Sequence, residues 1–171
     1  MNHYMYLPML LVSPFAHAGA DCQPVYAAMQ KLAITPVHEY MQETAAFKKA
    51  PSNSEVVITS TATYVKVAGQ WKAMAYDPKK QAQAIAATAT MQHTTCARRP
   101  DENVSGDAAN VYAMHEVQEG GTTVDGVLWI SKTHGVPLRQ AINMDVGGKF
   151  GKSHTDLRFD YANVHAPIGG K

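Results

Sequence analysis

The chain is poor in the features that announce most activities. Charge is sparse and balanced, 15 Lys and Arg against 14 Asp and Glu for a formal net charge of +1. That excludes the electrostatic footprint of a nucleic-acid partner or an acidic membrane surface. No G-x-S-x-G, no H-E-x-x-H and no histidine pair at i, i+4 occurs, so common nucleophile and zinc signatures are missing. The glycine pairs Gly120-Gly121 and Gly147-Gly148 sit in turns, without the helix that would cradle phosphate. No repeat period, low-complexity tract or second domain is visible. With 171 residues, one domain with a substantial core is expected.

Cysteine is nearly absent, and the two present matter for that reason. The N-terminus has an apolar stretch from Met5 to Phe15, followed by the small-residue sites Ala16-His17-Ala18 and Ala18-Gly19-Ala20. This reads as a secretory signal peptide over residues 1–20, ahead of a single domain over 21–171. Pro8, Pro14 and the shortness of the run speak against a spanning helix, which needs about 20 apolar residues. In an exported chain, periplasmic or secreted, Cys22 and Cys96 read as one disulfide. A reactive or metal-binding thiol is the alternative, and His93 does stand three residues before Cys96, but no second pair matches it.

Alternating runs dominate what is there. Val25, Ala28, Met29 and Leu32 lie at helical spacing behind Asp21 and Pro24, so a short first helix is expected. A strand over 37–42 and a polar connection over 43–54 follow. Strands then fit 55–60 and 62–68, with a turn at Gly69-Gln70 into a short strand around Trp71. Asp77-Pro78 opens a second helix to about Ala89, whose inner stripe would be Ala82, Ile85, Ala86 and Ala89. A face so thin in bulk lies close to the sheet or leaves space beneath it. A strand over 91–97 carries Cys96, Arg98-Arg99-Pro100-Asp101 turns, and strands fit Val104, 109–118, 122–130, 137–145 and 153–161. The hairpin around Lys132-Thr133-His134-Gly135 is the clearest unit, with Pro137 at the start of the returning strand. The sum is an α+β, mainly β, antiparallel meander of eight to ten strands with two helices.

Several motifs in order resemble a family. They are Tyr64-Val-x-Val-x-Gly-x-Trp71, the Asp77-Pro78 helix, Val104-x-Gly106, Val111-Tyr112 and Trp129-Ile130-Ser131. Gly135-Val-Pro-Leu-Arg139 and Tyr161-x-Asn-Val-x-Ala-Pro167 complete the set. This order resembles the LolA/LppX-like superfamily of outer-membrane lipoprotein-sorting and lipid-carrier half-barrels. The resemblance implies a curved antiparallel sheet, an incomplete β-barrel, with helices on its concave face and a concavity that holds acyl chains or lipidated peptides. It carries over no catalytic residue.

The remaining chemistry reads as bland. His134 falls in a turn, His165 in the tail, and Glu116 and Glu119 on a solvated strand edge. The chain is therefore expected to be no enzyme and to use neither metal nor cofactor. A hydrophobic pocket is expected from Tyr64, Trp71, Met74, Met114, Leu128, Ile130, Ile142 and Phe159 on strands, with Ile85 from the second helix. The methionines among them suit a site for varied acyl chains. The expected function is an exported binding or carrier protein for a lipid or lipoprotein acyl chain. The alternative is a non-enzymatic protein-interaction or envelope-stress module in which the same residues simply fill the core. Nothing in the sequence fixes the oligomeric state.

Overall fold

A computed structural model describes residues 22–46, 48–88, 94–118, 120–148 and 151–168. The signal-peptide reading, Asp21, Ala89, Met91, His93 and Glu119 lie outside them. The order of elements is α1 (Gln23–Ile34), β1 (Val37–Ala45), β2 (Ser52–Ile58), β3 (Ala62–Val67), β4 (Gln70–Ala75), α2 (Pro78–Thr88), β5 (Thr94–Val104), β6 (Asp107–Val117), β7 (Thr123–Ser131), β8 (Pro137–Asp145) and β9 (Lys152–Asp160). The strands form one antiparallel sheet in the order β4-β3-β2-β1-β9-β8-β7-β6-β5, which does not close into a barrel.

Local chemistry explains most boundaries. Asp77 accepts hydrogen bonds at Oδ1 from the backbone N–H groups of Lys79 and Lys80, both 3.1 Å, which caps α2. In the β7–β8 hairpin, Gly135 takes φ +64° and its N–H donates to the Ser131 carbonyl at 2.8 Å. Buried Ser131 donates to Asp107 at 2.9 Å and accepts from the His134 N–H at 3.0 Å. Two expectations are corrected. The connection is shorter than 43–54, because β1 runs on to Ala45 and β2 begins at Ser52. Arg98 to Asp101 is no turn, since β5 continues through it with a register shift between Arg99 and Glu102. β5 is an edge strand, where a bulge tolerates the missing N–H of Pro100.

Register assigns the faces, because directly paired residues share a side. Cys96, Met114, Gly126, Ile142 and Thr155 form one row, and Tyr112, Leu128, Gln140, Leu157 and Met41 another. α1 lies over these rows. Its buried Val25 and Ala28 cluster with Cys96, Leu128 and Ile130, and its Leu32 clusters with Val37 and Phe159. α2 packs against α1. On the other side Ala109, Val111 and Trp129 form a smaller cluster, where Trp129 Nε1–H donates to Glu102 at 2.8 Å and the Arg139 guanidinium lies 4.8 Å over the indole.

The sheet is bent toward α1. Cys22, at the helix start, is disulfide-bonded to Cys96 on the edge strand β5. Tyr76, just past the opposite edge strand β4, donates its hydroxyl to the Ala33 carbonyl at 2.9 Å. The helix between Cys22 and Ala33 is only about 17 Å long, whereas nine strands laid flat span about 38 Å. Both edges reach one short helix only if the sheet curls, so the helix side is concave.

Candidate ligand cavity

The concave side is incompletely filled. A cavity of about 340 Å³, partly open to solvent, lies between α1 (Val25, Tyr26, Met29), α2 (Ile85) and strands β5 to β8 (Thr94, Met114, Glu116, Val124, Gly126, Gln140, Ile142). Its size falls at the lower end of ligand pockets, roughly 300–1,000 Å³. Two sequence features create the space. α2 offers Ile85 where a packed interface would carry several large side chains; Ala82 is half-buried and Ala86, expected on the inner stripe, is exposed. Gly126 stands in the middle of β7, and a Cβ there would meet the Met114 methyl carbon at 2.7 Å. The glycine therefore lets Met114 lie down against the sheet floor rather than rise into the void.

Of the nine residues expected to line a pocket, the structure brings Ile85, Met114 and Ile142 together in this cavity. Leu128, Ile130 and Phe159 lie on the same side but are buried, the first two under α1 and Phe159 against Leu32. Met74 shares that side, on the row of Val37, Ile58 and Thr63, yet sits on the outer strand at 55% exposure. Tyr64 and Trp71 face the other way. Tyr64 pairs with Val57, which pairs with His38, and the Trp71 ring meets His38 edge-on at 6.2 Å. Val25, Tyr26, Met29, Thr94, Glu116, Val124, Gly126 and Gln140 also line the cavity and are not among the expected pocket residues. Of these, only Gly126, a glycine inside a strand, carries a sequence signal, that of close approach at its own position.

Glu116, expected on a solvated edge, is half-buried and lines the cavity. Its Oε2 accepts from the Thr94 hydroxyl at 3.2 Å and its Oε1 from the Gln118 amide at 3.3 Å. A second carboxylate on the concave side, Glu39, pairs across strands with Val56 and Phe159. Burial pushes its pKa up from 4.5 to about 7. The phenols of Tyr76 and Tyr161 are pushed up by burial and then by the Glu39 charge, and both hydroxyls donate elsewhere, to the carbonyls of Ala33 and Pro137.

A depression of about 490 Å³ on the convex side, lined by Gln42, Thr44, Asn53, Glu55, His154, Asp156 and Arg158 together with Tyr40 and Met41, is more polar. Among the described residues no group of three or more His, Cys, Asp or Glu is placed to hold a metal ion. No helix among them is long and apolar enough to cross a membrane.

No protein-family model and no curated protein matches the chain. Solved structures similar to it include LprF from Mycobacterium bovis, at 13% identity and TM-score 0.48 over 89% of this chain and 98% of that one. MucB matches at 11% and 0.40 over 89% of this chain, which spans 63% of MucB. A LolA superfamily protein from Nitrosomonas europaea matches at 8% and 0.30, covering 84% and 91%.

Proposed function

We propose that the chain is an exported binding or carrier protein, periplasmic or secreted after loss of residues 1–20, that shelters one hydrophobic ligand such as a lipid or lipoprotein acyl chain. The observation that carries this reading is the largely apolar cavity under Ile85, between α1, α2 and strands β5 to β8. Each methylene buried there gains about 0.8 kcal/mol, against which the ordering of the chain is set. α2 rests on α1 rather than on the sheet, so it is the wall that moves when ligand enters or leaves. The disulfide fits an oxidising compartment. No residue is given a catalytic role.

The experiment is solvent extraction of purified protein followed by mass spectrometry for co-purified lipid. The expected result is one class of single-chain or acylated lipid in substoichiometric to equimolar amount. Repeated absence of lipid, together with no binding of a neutral solvatochromic dye, would leave the protein-interaction module as the reading.

A further inference from the structure

Among the described residues the cavity lining carries one carboxylate, Glu116, and no cation. Among the described residues, Arg98, Lys31 and Lys72 on the concave side are either engaged or remote. Arg98, two residues beyond Cys96, donates to the Val111 carbonyl at 3.2 Å and the Asn110 side chain at 2.8 Å, and lies over the Tyr112 ring. Lys31 donates to the His134 carbonyl. Lys72 is exposed on the outermost strand β4. Among the described residues the two oxygens of Glu116 each accept one bond from a neutral donor, two of a carboxylate's roughly four acceptor positions. Gln140 adds a neutral amide to the same lining.

An alkyl ligand in this cavity must place its polar end where a carboxylate already stands. A second carboxylate would give up water and gain a like charge, with no cation among the described lining residues to offset either loss. A head group with N–H or O–H bonds would find acceptors waiting. We infer that the cavity selects an alkyl chain whose head group donates hydrogen bonds and bears no negative charge, an amine or a hydroxyl, with Glu116 as its acceptor. This rests on the carrier reading and makes Glu116 the specificity-determining residue of that site.

The test is displacement of a bound neutral dye, Nile red, from the full-length mature protein at pH 7.4. The competitors are dodecylamine, monolauroylglycerol and lauric acid, each below its micelle concentration. Amine and glyceride are expected to displace the dye at least tenfold more effectively than the acid, with the two donors' relative strengths separating charge from hydrogen bonding. Glu116→Gln should narrow the amine-to-acid ratio at least threefold, and Ile142→Trp, which fills the cavity, should abolish dye binding. Lauric acid binding as well as the amine to the unmodified protein overturns the inference while leaving the carrier reading intact. So does a ratio unchanged by Glu116→Gln. Failure of Nile red and all three competitors to bind overturns the carrier reading and this inference with it.

Discussion

The two ends of α1 are held by different means, and the contrast shows how the molecule can keep a void. At the N-terminal end Cys22 is covalently bound to the edge strand β5, and the neighbouring Val25, Tyr26 and Met29 overhang the cavity. At the C-terminal end Leu32 packs against Val37 and Phe159, and Tyr76 donates to the Ala33 carbonyl. There contacts do the holding, yet a half-buried carboxyl, Glu39, stands among them. A helix lying over unfilled space lacks the dispersion contacts that would fix its position. The disulfide adds a covalent hold at the end that overhangs the void, beside the buried cluster of Val25, Ala28, Leu128 and Ile130.

Breaking the tether should therefore have the largest effect. The Cys22–Cys96 bond closes a loop of 74 residues' separation, for which the chain-entropy relation gives about 4–5 kcal/mol. Cys22→Ser is expected to lower the melting temperature by roughly 10–20 °C under oxidising conditions, and reductant should bring the unmodified protein to the same value. Equal melting temperatures for the two oxidised proteins would contradict the tethering role.

Glu39 sharpens the other side of the contrast. Its pKa in the folded protein, about 7, stands above the ordinary 4.5. The native state therefore holds the proton longer than the unfolded chain does, and stability falls as pH rises from about 4.5 to about 7. Above that window the whole penalty is present, at most about 3 kcal/mol. Glu39→Gln should stabilise the protein at pH 8 by up to that amount and should flatten the decline in urea midpoint between pH 4.5 and 7. An unchanged pH profile would mean that Glu39 is solvated.

Much of this architecture was readable from the residues because it depends on local chemistry. Asp77-Pro78 caps and starts α2 through atoms two and three residues away. Gly135 turns the β7–β8 hairpin through its own backbone. What failed was nonlocal. Alternation says that Tyr64 and Lys66 share a face and that Val65 and Val67 share the other, but which face meets α1 depends on the neighbouring strands. Pro100 reads as a turn in isolation and becomes a bulge only because β6 pairs on both sides of it. Glu116 looked solvated because the wall that half-buries it comes from α1 and α2. The cavity itself depends on where α1 rests, set by a bond to a strand 74 residues away. No local pattern encodes that distance.

The central claim, that an alkyl chain occupies the space between α1, α2 and strands β5 to β8, is tested most directly by methyl NMR on protein labelled at isoleucine and methionine methyls. On adding dodecanol, the account predicts saturable shifts of Ile85, Met114 and Ile142, with contacts to the ligand's methylenes, while exposed Met74 and Ile168 stay still. Shifts confined to Met74 and Ile168, or no shifts at dye-displacing concentrations, would contradict it.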